Sequence, residues 1–292
     1  MSEIPTALIL NAIIAGLLLG GFYAAVSVGV SISFGMLDVV NIAHPAFIIL
    51  GSYIAYIVND RFGFDPIAAC VLLSPLFFVL GLAIYRVYYL CFEKRGQESL
   101  RGLAFFFGIL FITEVALVLV FGVDYRAVRT GYSDTTWRLG PVDFPLRLVV
   151  PFAVSVTMVA SIEMFLTRTF FGRAVLAVAQ DALALRLMGV DTLRVKERAF
   201  ALSIATAAVA GSFLIVIQPV QPAIGREYIG LVFAVCVLGG MGSIRGTLAA
   251  AFILGLAESF TATFAGPSWA PAVSFGLLLA TLALRPSGLF GR

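Results

Sequence analysis

Charge is scarce in this sequence. Asp, Glu, Lys and Arg make up 12% of its 292 residues, against 61% hydrophobic ones, too little polar surface to clothe a water-soluble globule. Histidine is scarcer: His44 stands alone, which excludes two-histidine metal motifs such as H-E-x-x-H and leaves no local tetrahedral site. A Ser-His hydrolase would need His44 to meet a serine, and no nucleophile motif points there. The two lysines follow Glu93 (Lys94) and Val195 (Lys196), so no G-x-x-x-x-G-K-[ST] phosphate loop exists and the chain cannot bind and hydrolyse ATP through one of its own. Cys70, Cys91 and Cys236 are odd in number, far apart and in or beside apolar runs. They form neither a disulfide framework nor a C-x-x-C site and read as small buried hydrophobes. The net charge of +3 is spread without a basic stripe, which removes nucleic acid as a partner. Glu3, with no Lys or Arg, precedes the first apolar run, so that run lacks the positive flank of a secretory signal and reads as a retained membrane segment.

What is present is hydrophobic length. A bilayer core about 30 Å thick takes about 20 apolar residues in a helix. Residues 7 to 35, 66 to 85, 103 to 122, 148 to 167, 199 to 218, 247 to 264 and 270 to 284 qualify, and 45 to 58 and 228 to 240 are short. Short runs are tilted spans or half-helices covered by protein. The fold expected is an all-α polytopic membrane bundle of about 8–9 segments, some short or re-entrant, forming a single domain over residues 1 to 292. If both short runs cross, 13 of the 19 basic residues (Arg86, Lys94, Arg95, Arg101, Arg168, Arg173, Arg186, Arg194, Lys196, Arg198, Arg245, Arg285 and Arg292) fall in one set of alternate loops. The other set keeps Arg61, Arg126, Arg129, Arg138, Arg147 and Arg226. Basic loops stay in the cytoplasm, placing the N-terminus outside and the C-terminus inside. Tyr85, Tyr88 and Tyr89 are expected at the inner interface, and Tyr53, Tyr56, Tyr125, Trp137 and Trp269 at the outer one. Gly16-x-x-x-Gly20, with Gly35, Gly51 and Gly255, marks close helix packing.

The segment 168 to 198 is unlike the spans. Gly172 to Gly189 is rich in Ala and Leu, helix-forming, too charged to cross and too apolar to stand free in water. Gly189 is placed to end a helix in the left-handed conformation, and Asp191 or Thr192 to cap the next. Two readings stand: a rigid docking element that passes motion from a soluble partner, or an amphipathic helix on the lipid surface. Asp38, Asn41 and His44 form a polar cluster between apolar segments, serving either their own backbone or a conduit. The turn Gly239, Gly240, Gly242, Ser243 to Gly246 serves either tight packing or a broken helix. Glu114 and Glu258 are carboxylates at bilayer depth, either structurally paired or part of a pathway. Gln218, Gln221, Arg226 and Glu227, near Pro219 and Pro222, line an outer mouth or form a ledge for a docking protein.

Three motifs carry a resemblance. Gly172-Arg173-Ala174 through Ala179-Gln180-Asp181, then Ala184 to Gly189, resembles the coupling region of ABC importer permeases, in the spelling of the branched-chain amino acid permease family. So does Gly20-Gly21-Phe22-Tyr23-Ala24 leading to Phe34-Gly35-Met36-Leu37-Asp38-Val39-Val40-Asn41-Ile42-Ala43-His44, and so does Leu238-Gly239-Gly240-Met241-Gly242-Ser243 with Gly255-Leu256-Ala257-Glu258-Ser259. The likeness runs nearly the whole chain in order. Departures are Leu183-Ala184-Leu185, where such permeases usually begin with Glu and two small residues, Pro45 where the family tends to have Gly, and the lack of a lysine in Gly225 to Val235.

The resemblance implies a non-catalytic, multi-pass permease subunit in the bacterial inner membrane. It would carry branched-chain or other hydrophobic amino acids by alternating access. Implied partners are a second homologous permease subunit, two cytoplasmic ATPases and a periplasmic or extracellular solute-binding protein. The chain itself would hold no cofactor, since ATP and Mg would belong to the ATPases. Arg173, Gln180, Asp181, Ala184, Arg186, Met188 and Gly189 would meet an ATPase, and Asn41, His44, Glu114, Gly239, Gly240, Gly242, Ser243 and Glu258 are candidates for the pathway. Urea, short amides or small carboxylates are alternative cargoes. A self-sufficient secondary transporter, with Glu114 and Glu258 as relays, and a scaffold without transport are the rival classes.

Overall fold

The computed structural model describes residues 6 to 95, 99 to 285 and 287 to 291; Glu3 and Arg292 of the charge argument lie outside them. The long helices are α1 (Thr6–Ser33), α2 (His44–Phe62), α3 (Pro66–Cys91), α4 (Ser99–Phe121), α5 (Leu146–Arg168), α8 (Thr192–Ile217), α9 (Gly225–Gly239), α10 (Ile244–Phe264) and α11 (Ala270–Leu284). Two short helices, α6 (Phe170–Val178) and α7 (Ala182–Leu187), lie between α5 and α8. Eight helical segments among the described residues are long and apolar enough to cross a bilayer. The ninth long helix, α2, has polar ends, His44 at its start and Asn59-Asp60-Arg61 near its finish.

α1 and α8 form the centre. Phe22 to Ser33 of α1 and most of α8 from Ala199 to Val216 are buried. α10, α5 and α9 surround α1, and α3 and α2 flank α8. Lipid gives helices no hydrophobic reason to associate, so close approach through small residues does the work. Gly16 and Gly20 let α10 in: a Cβ on Gly20 would stand 2.8 Å from the Ala251 carbonyl oxygen and 2.8 Å from Phe252 Cα. Gly255 answers from the other side, where a Cβ would sit 2.5 Å from the Gly16 carbonyl oxygen.

The loops gather at two ends, as the alternation of basic residues predicts. At one end Asn11 Nδ2 donates to the Pro141 carbonyl (3.3 Å), and Arg126 pairs with Val220 as an antiparallel bridge. There too Tyr132 Oη donates to Asp65 (3.2 Å), and burial first, then the Asp65 charge, holds that phenol well above its ordinary value. At the other end Lys196 Nζ meets Glu93 Oε1 at 2.7 Å, and Arg245 Nε meets Glu163 Oε1 at 2.7 Å. The second end carries the basic excess expected of a cytoplasmic side. The outer loop before α5 holds a hairpin that hydropathy does not reveal, β1 (Thr136–Leu139) and β2 (Val142–Pro145), turning at Gly140 with φ +64°.

Some expectations shift. Tyr53, Tyr85 and Tyr88 are buried in the bundle instead of facing an interface; Tyr53 packs on Phe121 at 4.7 Å between ring centres, and Tyr85 donates to Glu93 at 2.6 Å. Cys91 is exposed, while Cys70 and Cys236 are buried as expected. α3 and α8 overrun the apolar windows by a turn or two, because a helix need not stop where its side chains become charged at the membrane surface.

Candidate functional site

The segment between α5 and α8 is built by caps. Thr169 accepts from Gly172 N (3.0 Å) to open α6, and Asp181 accepts from Leu183 N and Ala184 N (2.9 Å each) to open α7. The stretch expected as one helix is therefore two, broken at Ala179–Asp181 because Asp181 turns its carboxylate onto the backbone ahead of it. Gly189, at φ +83°, ends α7, and the Val190 amide returns to the Leu185 carbonyl at 3.1 Å. Asp191 then caps α8 by accepting from Arg194 N (3.1 Å). Arg186 Nε donates to Thr192 Oγ1 at 2.7 Å, fastening α7 to the first residue of α8. Leu183, Leu187 and Met188 are 67%, 83% and 80% exposed. Three large apolar side chains on one short, braced helix make an uncovered patch.

Sequence reasoning missed what lies behind this element. Glu93, just past α3, accepts from Tyr85 and from Lys196 of α8, and its side chain is 7% exposed. Tyr85, Tyr88, Phe105, Phe106 and Phe200 interlock around it across α3, α4 and α8. The adjacency of Glu93 to Lys94 is the only trace in the sequence, and it points to the wrong lysine.

The polar cluster at 38 to 44 leads into the interior. Asp38 is exposed and adopts φ +56°, a turn that side chains other than glycine seldom take. From there the chain runs back among buried residues, and α2 starts with its His44 ring against Gly29 of α1 and Thr206 of α8. Asn41 Oδ1 accepts from Ala43 N (3.1 Å), a turn serving its own backbone. Asn41 Nδ2 and both His44 ring nitrogens are fully buried without a well-formed hydrogen bond, although the Val26 carbonyl faces the His44 ring. Pro45 falls in the first turn of α2, where its missing amide is no loss.

A second interior start faces this one. α9, with 15 residues, spans roughly 22 Å and reaches the length of a crossing only together with the 3-10 turn Pro222–Ile224 before it. Gly225 at its head backs onto Pro45 and Ile49 of α2. The two helix N-termini thus meet inside the bundle, and Glu114 of α4 borders the crevice between them, where their dipoles favour a negative charge. Arg226 Nη2 pairs with Glu114 at 3.0 Å, so the structure joins a candidate for the pathway to a candidate for outer docking.

On the other flank of α9 a cavity of about 400 Å³ opens between α9, α10 and α11. Gln218, Arg226, Glu227, Tyr228 and Glu258 line it, while Gln221 is half-buried and outside that lining. Glu258 accepts from Tyr23 Oη (2.6 Å) and from Ser274 Oγ, joining α10 to α1 and α11. The Gly239 to Gly246 turn is elsewhere, at the end that carries the basic excess. Gly239 lies on Gly246, Gly242 on Gly35, and Gly240 under Phe290 and Gly291 of the C-terminal tail. Ser243 caps α10 by accepting from Gly246 N (3.1 Å). No cluster of three or more His, Cys, Asp or Glu able to hold a metal occurs among the described residues.

Buried central helices, two helices that begin inside the bundle and a braced, apolar-tipped projection on the basic side define a multi-pass membrane protein of the permease class. The chain belongs to the family described as branched-chain amino acid transport system, permease component, which matches residues 12–282. It is similar to the high-affinity branched-chain amino acid transport system permease protein BraD of Pseudomonas aeruginosa, with 29% identity over 97% of this chain and 96% of that protein. Against the corresponding protein LivH of Escherichia coli K12 the identity is 27%, over 95% of this chain and 94% of LivH. The permease protein LivM of the same organism is 25% identical over 91% of this chain and 67% of LivM. A solved structure, PsaBC from Streptococcus pneumoniae in complex with Fab, covers 96% of this chain and 92% of that one at 14% identity and a TM-score of 0.49, too distant to inform the site.

Proposed function

We propose that this chain is the membrane-spanning subunit of an ATP-driven importer in the inner membrane of a bacterium, carrying branched-chain or other hydrophobic amino acids by alternating access. The observation that carries the reading is α7: a capped helix whose Leu183, Leu187 and Met188 are left bare at the basic end of the molecule. Such a patch calls for a soluble protein to cover it, and the ATPases of an importer are the partners that supply what a chain without a phosphate loop lacks. Arg173, Gln180, Asp181, Ala184, Arg186, Met188 and Gly189 form or brace that contact. Through the Arg186–Thr192 bond and the Lys196–Glu93 pair, a push on α7 reaches α8 and α3 together, the kind of rigid-body transmission that tips a bundle between two openings. BraD and LivH are named for branched-chain amino acid transport, and LivM offers the precedent for a second, similar permease beside this one. A solute-binding protein would deliver cargo at the outer end, near Gln218, Gln221, Arg226 and Glu227. A self-sufficient carrier would use Glu114 and Glu258 as relays, and of these Glu114 is held by Arg226.

The test is uptake by vesicles holding the chain with and without its co-purified ATPases, with leucine and urea as competing cargoes. Leucine uptake should require ATPases and ATP. Leu187→Asp should cut substrate-stimulated ATP turnover at least tenfold while the chain still inserts. Uptake by the chain alone along an ion gradient would sink the importer reading, and preference for urea would overturn the cargo.

A further inference from the structure

The strongest unexplained feature is the charge of Glu258. It lies six residues before the end of α10, about 9 Å below the outer end of that helix, and is 6% exposed. Its two hydrogen bonds come from neutral hydroxyls, Tyr23 Oη and Ser274 Oγ. Among the described residues no Lys, Arg or His pairs with it. A carboxyl group at membrane depth with neutral donors alone lacks the cationic partner that would stabilise its ionised form, and this one stands in the wall of a cavity.

The rest of that cavity holds a cation, Arg226, with Glu227 beside it, a phenol, Tyr228, and an apolar wall. Its volume of about 400 Å³ falls within the ~300–1,000 Å³ typical of small-molecule sites. Arg226 lines the same space. One guanidinium nitrogen is on Glu114, and the side chain is 52% exposed, leaving further donors of its fork available. Tyr228 accepts from Gln218 Nε2 at 2.9 Å, which leaves its own phenol proton to donate. Leu231, Pro271 and Phe275 supply an apolar wall.

We infer that the cavity between α9, α10 and α11 is a binding site for an aliphatic α-amino acid. The ligand's ammonium completes the Glu258 carboxylate, its carboxylate is met by Arg226 and Tyr228, and its side chain lies on Leu231 and Phe275. The inference rests on the importer reading and gives its cargo a place in the fold and named contacts, which that reading leaves open. It makes Glu258 more than a strut between helices: an oppositely charged ligand group is what its two neutral partners do not supply.

Two measurements on the transporter complex in lipid nanodiscs and vesicles test it: equilibrium binding of radiolabelled leucine, and ATP-driven leucine uptake. Binding should be displaced poorly by 4-methylpentanoic acid, which lacks the amino group, and by 3-methylbutylamine, which lacks the carboxyl. Glu258→Gln keeps a hydrogen-bonding side chain and removes the charge. It should weaken leucine binding at least tenfold and abolish the advantage of leucine over 4-methylpentanoic acid, a ratio that a purely structural defect would not move. Binding within twofold of the unsubstituted complex, with the discrimination intact, overturns the site. Should Glu258→Gln lower assembly, Leu231→Trp, which fills the apolar wall, decides: lost binding supports the site and unchanged binding overturns it. Absence of leucine binding by the unsubstituted complex also overturns it. ATP-driven leucine uptake in that case would leave the importer reading standing, whereas binding without ATP-driven uptake would sink that reading and keep the site.

Discussion

At the scale of single residues, this protein is governed by what is missing from a side chain. Gly29 is the clearest case: a Cβ there would run into the His44 ring and stand 2.6 Å from Thr206 Oγ1. His44, the only histidine, is held by shape more than by hydrogen bonds, since both of its ring nitrogens lack a well-formed one. Overpacking a filled core by even a few methyl groups costs about 1–3 kcal/mol. Gly29→Val should therefore lower the melting temperature of the purified complex and reduce transport with it, whereas Gly108→Ala, where a Cβ meets nothing within 4 Å, should leave both unchanged. Equal melting temperatures for Gly29→Val and the unsubstituted protein would show that His44 moves aside freely.

At the scale of elements, the connection from α7 to the bundle passes through α8. α7 is short, so Arg186–Thr192 and the caps hold it in place, while α8 packs along α3 and the Lys196–Glu93 pair ties its inner end to the segment just past α3. Removing one partner of a buried pair strands the other, a loss of roughly 3–5 kcal/mol. Lys196→Met should destabilise the inner end and also raise ATP turnover in the absence of cargo, because the inner end of α8, with α7 on it, would then be tied less firmly to the segment past α3. Glu93→Gln with Lys196→Met should recover much of the stability but not the cargo dependence. A double variant that restores both, followed by melting and ATPase assays, would show that the pair only holds the fold. Ala184→Pro, by contrast, falls in the first turn of α7. It removes the bond to Asp181 and does not break a helical ladder, so its effect should be smaller than that of Leu187→Asp.

At the scale of the whole molecule, the arrangement of helices and the sidedness follow from different signals. Introduced cysteines at Leu187 and Trp137, both exposed and at opposite ends, should react with a membrane-impermeant thiol reagent from the inner and outer side respectively; the reverse pattern would invert the topology. The grouping of the loops into two ends was legible in the sequence, because the positions of Arg and Lys in alternate loops survive any error of a few residues at a helix end. So were the number of long helices, the Gly16, Gly20 and Gly255 contact, the Gly189 stop and the Asp191 cap, each resting on a local rule of spacing or backbone conformation. Glu93 with Lys196, Glu114 with Arg226, and Glu258 with Tyr23 and Ser274 were beyond it, because pairings between helices distant in sequence leave no periodic trace. The sequence by itself determined that this chain has many membrane-spanning helices, which loops carry the basic excess and where a capped helical segment interrupts the spans, since hydropathy, charge and caps act over a few turns. Only the tertiary structure decided that α2 and α9 begin inside the bundle and that a lone carboxylate borders a cavity, since those depend on which helices lie side by side.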